Sequence, residues 1–139
     1  MTDHIVYLSL GSNLGDRVGN IRRAIQLMEE QIGCLVRQSA LIETEPWGFS
    51  SENGFVNGAA CFRTTLSPLE VLDRTQAIER ELGRTHKSVG GVYHDRIIDI
   101  DILLYDDLEM KTERLTIPHP LMLQRDFVMI PLREIMRLK

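Results

Sequence analysis

Arg96-Ile97-Ile98-Asp99-Ile100-Asp101-Ile102-Leu103-Leu104 is the stretch on which the rest of the chain turns. Its length and aliphatic density suit a buried β-strand, and strand side chains alternate between faces. Ile98, Ile100, Ile102 and Leu104 are then expected on one face, with Ile97, Asp99, Asp101 and Leu103 on the other. The two carboxylates would stand roughly 6.5–7 Å apart along the backbone. Anions on an apolar strand need partners, because burying an unpaired charge is expensive. A divalent cation is a natural one: Mg²⁺ commonly takes one or two carboxylates and completes its shell with water and substrate phosphates. An isolated Asp-x-Asp is more often a solvated pair on an edge strand. Here the aliphatic neighbours on the aspartate face and the cationic segment just before it turn the reading toward a metal site.

Outward from that strand the elements fall in a recognisable order. Residues 4–10 read as a first strand, ending at Gly11-Ser12-Asn13-Leu14-Gly15. Asp16 is an N-cap for a helix running to about residue 32, with Val18, Ile21, Ile25, Met28 and Ile32 at helical spacing and Gly33 at the C′ position. Residues 34–42 suit a second strand and 55–64 a third. Ser67-Pro68-Leu69-Glu70 carries the full start signal of a second helix: a capping Ser, a Pro at the first helical position and a Glu three residues after the cap. Val71, Ile78 and Leu82 would face the core, and Gly83 ends the helix. After the aspartate strand come a polar turn at Asp106-Asp107, an extended piece at 114–117, and short helical turns with Phe127, Ile130, Leu132 and Ile135 packing inward. Strand, helix, strand, strand, helix, strand is the split βαβ order of the α+β, ferredoxin-like folds, whose helices pack on a mainly antiparallel sheet. Two long loops, 44–54 and 84–95, are expected to be mobile covers that order when substrates bind.

With 139 residues, 43% of them apolar and 26% charged, the chain is expected to form one globular domain spanning 1–139. A net charge of −4 argues against general nucleic-acid binding. Cations cluster locally instead, at Arg84, His86, Lys87 and Arg96 and again at Arg114, His119 and Arg125, which suits a small anionic ligand. Cys34 and Cys61 have no metal-ligand spacing and read as reduced thiols. No apolar run approaches membrane-spanning length, so a cytoplasmic protein without a membrane partner is expected.

Phosphoryl-type transfer needs a metal, cations that absorb developing charge, and a positioned nucleophile. The chain offers all three sets close together in sequence order. His119, held between Pro118 and Pro120, is a structural histidine or a phosphate contact. Gln76 and Glu79 lie three apart and present together on the second helix. Phe55 and Asn57 share a strand face, and a ring beside a carboxamide suits a flat heteroaromatic ligand. The glycine-bounded turn at 11–15 lacks the Lys-Ser/Thr of a P-loop and reads as a tight connection.

Taken together, Leu10-Gly11-Ser12-Asn13-Leu14-Gly15, Phe55-Val56-Asn57, Gln76 through Glu79 with Gly83-Arg84, Arg96-x-x-Asp99-x-Asp101-Ile102 and Leu115-Thr116-Ile117-Pro118-His119 resemble the 6-hydroxymethyl-7,8-dihydropterin pyrophosphokinase family of folate biosynthesis. The resemblance implies transfer of pyrophosphate from ATP to the pterin hydroxymethyl oxygen, with release of AMP. It implies that Asp99 and Asp101 hold two Mg²⁺ ions, and that Arg84, Lys87 and Arg96 act with them in catalysis. His86, His119 and Arg125 would join those cations around ATP, and Gln76, Glu79, Ile102 and Thr116 would line the nucleotide pocket. Asn57 would hydrogen-bond the pterin, Thr44 and Trp47 would supply backbone contacts, Phe55 and Phe127 would sandwich the ring, and Asp99 would also face it. A monomer is expected. The chain departs from the common pattern at His86, where many members carry a second arginine, at Tyr93-His94-Asp95 in place of Trp-Gly-Pro, and at Pro120, where an aromatic is frequent. The rival reading is a non-catalytic ferredoxin-like domain that senses a nucleotide.

Overall fold

The computed structural model describes residues 3–44, 54–83 and 97–137. Strand β1 (His4–Ser12) leads into helix α1 (Arg17–Gln31), followed by β2 (Gly33–Gln38), β3 (Ile42–Thr44), β4 (Phe55–Thr64), α2 (Pro68–Glu81) and β5 (Asp99–Tyr105). A small pair, β6 (Met110–Lys111) and β7 (Thr116–Ile117), a turn of 3-10 helix at Met122–Gln124 and helix α3 (Asp126–Arg137) complete it. The main sheet runs β2-β4-β1-β5 with every pairing antiparallel, and β3 extends the β2 side along the start of β4. This is the expected α+β arrangement: the two strands that flank α1, and the two that flank α2, are separated in the sheet by another strand.

The helix starts follow the sequence. Asp16 accepts the Gly19 N–H at 3.0 Å. Ser67 and Glu70 form a reciprocal capping box, with Glu70 N–H to Ser67 Oγ at 3.2 Å and Ser67 N–H to Glu70 Oε1 at 2.9 Å. Helices α1 and α2 cover one face of the sheet, where Val6, Leu8, Leu10, Ile21, Ala24, Met28, Phe62, Val71, Ile78, Ile100 and Ile102 form the main core. Helix α3 covers the other, packing Val128, Leu132 and Ile135 on Ala59, Cys61 and Leu103. Its far end is tied to the sheet margin, where Arg37 Nη1 donates to the Ile135 carbonyl at 2.8 Å and the Ala40 N–H donates to Glu134 Oε2 at 2.9 Å.

Several local expectations are corrected. The strand foreseen at 34–42 is two strands: at the break, Ser39 trades its N–H and hydroxyl for the backbone of Ala59. Gly33 is not a left-handed helix cap but the first residue of β2, and a side chain there would run into the Arg63 carbonyl. The C-terminal segment is one helix with Pro131 inside it, and Ile130 faces solvent rather than the core. Ile97 lies ahead of β5, its Cδ1 3.0 Å from where a Gly83 Cβ would stand, at the end of α2. In β5 the register slips between Leu8↔Ile102 and Tyr7↔Leu104, leaving Leu103 as an extra residue. Beyond that bulge Leu104 changes sides and packs toward α3, whereas Ile100 and Ile102 stay in the main core. The foreseen mobile loops at 44–54 and 84–95 fall almost wholly outside the described residues.

Candidate active site

Strand register assembles the site. Gly11 of β1 pairs with Asn57 of β4 on one side and with Asp99 of β5 on the other. Directly paired residues share a sheet face, so Asn57, Gly11 and Asp99 form one row. The next row is Ala59, Ser9 and Asp101. Both rows lie on the α3 face, because the row after them, Cys61, Tyr7 and Leu104, is packed under α3. The Asn57–Gly11–Asp99 row is at the end of the β1–β5 pairing. Asp99 and Asp101 therefore do share a face, as the alternation requires.

Glycine at position 11 is a matter of space. A Cβ there would stand 2.8 Å from Asn57 Oδ1 and 3.4 Å from Phe55 Cδ1. The bare backbone of Gly11 thus leaves room beside it for the buried Asn57 carboxamide, 3% exposed, and for the edge of the Phe55 ring. Phe55 itself begins β4 and pairs with Thr44 of β3.

The approach to α3 brings the other groups. Arg125 is 9% exposed, and its guanidinium carbon lies 5.7 Å from the centre of the Phe127 ring. His119 is tied to β5 through its N–H to the Leu103 carbonyl at 3.0 Å. Its Nδ1 accepts the Leu121 N–H at 3.2 Å, which in the neutral ring leaves the proton on Nε2. Burial, and then the positive charge of Arg125, hold the His119 pKa below its usual value, with Asp99 pulling the other way. Arg125 and Asp99 are therefore both within electrostatic reach of His119.

The residues expected around the nucleotide divide differently. Glu79 of α2 is buried, 6% exposed, and its Oε2 accepts the Ile100 N–H at 2.8 Å. Gln76 is exposed, its Oε1 3.5 Å from Arg114, which in turn forms an exposed ion pair with Asp73 at 2.6 Å. The Ile102 side chain is buried in the main core, so its backbone, on the edge of β5 that no strand pairs among the described residues, is the part left to meet a ligand. Thr116 is half-buried and pairs with Lys111. Trp47, Arg84, His86, Lys87 and Arg96 lie outside the described residues, as does the side chain of Thr44.

Sequence reasoning missed Gly11 and Ser9 as members of the site, since only strand register places them beside the aspartates. The turn it grouped with Gly11 is structural: Asn20 Nδ2 donates to Ser12 Oγ at 3.2 Å and to the Leu14 carbonyl at 2.9 Å, and Gly15 takes φ +66°. Among the described residues no group of three or more His, Cys, Asp or Glu is arranged to hold a metal. A carboxylate pair fits a cation that completes its shell with phosphate oxygens and water.

The fold is that of a ferredoxin-like α+β domain, with two carboxylates and a buried carboxamide in neighbouring rows of its α3 face. Residues 7–137 match the family described as 7,8-dihydro-6-hydroxymethylpterin-pyrophosphokinase (HPPK), and the chain belongs to that family. It is 53% identical over 132 residues to the Porphyromonas gingivalis protein named 2-amino-4-hydroxy-6-hydroxymethyldihydropteridine pyrophosphokinase, covering 94% of this chain and 90% of that one. It is 42% identical over 134 residues to the Bacillus subtilis protein of the same name, covering 96% and 78%. Among solved structures, an HPPK-DHPS in complex with substrates superposes with a TM-score of 0.73 at 17% identity, over 96% of this chain and 40% of that one. A wild-type Plasmodium falciparum HPPK-DHPS with pterin and p-hydroxybenzoate gives 0.72 at 18% identity, over 96% and 38%. This chain spans about two fifths of those longer chains, and the likeness to them is one of fold.

Proposed function

We propose that the open end of the α3 face, built on the Asn57–Gly11–Asp99 row with Asp101 beside it, is where this enzyme joins its two substrates. The enzyme is a pyrophosphokinase of folate biosynthesis: it moves pyrophosphate from ATP to the hydroxymethyl group of 6-hydroxymethyl-7,8-dihydropterin, giving the pterin diphosphate and AMP. The observation that carries the placement is the register that sets a buried carboxamide and a carboxylate either side of a bare glycine.

The residues divide the work by chemistry. Asn57 offers a donor and an acceptor to the edge of a flat ring, and Phe55 and Phe127 offer faces to stack on it. Asp99 and Asp101 would hold Mg²⁺, two ions in this reading, which would supply positive charge to neutralise phosphate oxygens. The pterin hydroxymethyl oxygen forms a bond to the β-phosphorus of ATP and loses its proton. The bond from that phosphorus to the oxygen bridging the α-phosphate breaks, and AMP leaves with the bond's electron pair. Arg125 and neutral His119 would donate hydrogen bonds to phosphate oxygens, and the same role is proposed for Arg84, His86, Lys87 and Arg96. Gln76, Thr116 and the Ile102 backbone are proposed to border the nucleotide, and Thr44 and Trp47 the pterin.

The enzyme is further proposed to be one domain over residues 1–139, monomeric and cytoplasmic, with small molecules rather than nucleic acid or membrane as partners. No helix among the described residues is long and apolar enough to cross a membrane. The test is AMP release from ATP, Mg²⁺ and the pterin, with Asp99→Ala and Asp101→Ala beside the wild type. Each variant is expected to lose at least about two orders of magnitude in turnover. Near-normal turnover in both would remove the aspartates from the reaction.

A further inference from the structure

Helix α2 and strand β5 meet through a contact that the division of residues above does not use. Ile100 separates Asp99 from Asp101, and its side chain is buried on the α2 face. Among the described residues strand β5 ends the sheet, with β1 on its inner side. The Ile100 N–H points to the open edge and is taken by Glu79 Oε2 at 2.8 Å. Glu79 is 6% exposed, on the third turn of a helix held at its start by a complete capping box. An acceptor oxygen on a capped helix therefore holds the peptide unit between the two carboxylates, on the edge where no strand lies among the described residues.

We infer that Glu79 is a positioning residue: by holding the Ile100 N–H it fixes the spacing and aim of Asp99 and Asp101 toward a divalent cation. The inference rests on the metal reading of those two aspartates and gives Glu79 a role other than contact with the nucleotide. Groups that orient metal ligands typically change metal affinity by about 10- to 100-fold when removed, whereas a residue that only stabilises the fold leaves it unchanged. The requirement is for an acceptor oxygen at the right reach rather than for a charge. Gln keeps the oxygen, Asp keeps the charge but draws the oxygen back by one methylene, and Ala removes both.

The test uses the full chain with Mn²⁺ as the probe, titrated by electron paramagnetic resonance in the presence of a non-hydrolysable ATP analogue. Glu79→Ala and Glu79→Asp are expected to weaken Mn²⁺ binding about tenfold or more, and Glu79→Gln to stay within about threefold of wild type. In parallel, the Ile100 amide should exchange faster in the Asp and Ala variants, and analogue affinity without metal should be unchanged. If Glu79→Ala does not fold, Glu79→Asp carries the same comparison. Wild-type Mn²⁺ affinity in Glu79→Asp, equal loss in the Gln and Asp variants, or lost analogue affinity without metal would each overturn the inference. Asp101→Asn separates the two levels: if it leaves Mn²⁺ binding intact, the metal reading itself fails; if it abolishes binding while Glu79→Asp does not, only the role of Glu79 fails.

Discussion

Replacing Gly11 by Ala adds one methyl group at the centre of the proposed pterin site, and the structure sets its consequence. Gly11 does not use a left-handed backbone conformation, so alanine meets no φ penalty, and the effect is one of space. The new Cβ stands 2.8 Å from Asn57 Oδ1 and 3.4 Å from Phe55 Cδ1. Ordinary van der Waals separation requires the carboxamide to yield by about half an ångström. Asn57 can do so because the atom struck is the end of a side chain, so the fold survives. The displaced carboxamide, however, no longer presents its donor and acceptor to the ring edge. Overpacking a well-filled site typically costs about 1–3 kcal/mol, and forcing Asn57 back on binding would make pterin affinity fall about 5- to 150-fold. Calorimetry with 6-hydroxymethyl-7,8-dihydropterin, and separately with a non-hydrolysable ATP analogue, reads this out, with thermal melting as the check on folding. Pterin affinity within about twofold of wild type, or equal losses for both ligands, would refute the reasoning. Gly33→Ala is the contrast: there the Cβ meets the Arg63 carbonyl, which is backbone and cannot swing aside. That variant should lose stability, by about 3 kcal/mol or more, with no preference between ligands.

Asn57→Ala is expected to weaken pterin binding by about 1–3 kcal/mol, the worth of buried hydrogen bonds, and ATP binding by much less; equal loss for both ligands in calorimetry would make Asn57 structural. His119 predicts a pH effect on the ligand-free protein. Its folded pKa is held down by burial and by Arg125, so between that pKa and the unfolded one the unfolded chain binds more protons, and stability must fall as the pH drops through that window. Denaturant unfolding of wild type and His119→Asn between about pH 5 and 8 should converge at the upper end and diverge at the lower, with the wild type losing more; parallel curves would show that the histidine is not sensed by the fold.

Local chemistry made much of this protein legible from its sequence. A capping Ser with Pro and Glu behind it starts a helix wherever the chain goes, because those hydrogen bonds close within four residues. Alternation put Asp99 and Asp101 on one face for the same reason, as did the spacing of Phe55 and Asn57. The order of elements implied the split βαβ sheet. Tertiary structure decided what depends on two distant segments meeting in one register. Alternation by itself carried Leu104 to the wrong face, because a bulge is set by how β5 fits β1 and not by either strand alone. It could not show that the backbone of Ile102 lies on the edge of the sheet among the described residues, nor that Gly11 is bare to make room for Asn57, 46 positions on in the chain. Glu79 is the clearest case: on its helix it is one more carboxylate beside Gln76, and only the packing of α2 against an unpaired strand edge delivers it to the Ile100 N–H. Periodicity and capping are decided by neighbours in sequence, whereas the distances that make a site are decided by which buried donors and acceptors the packed sheet leaves for one another.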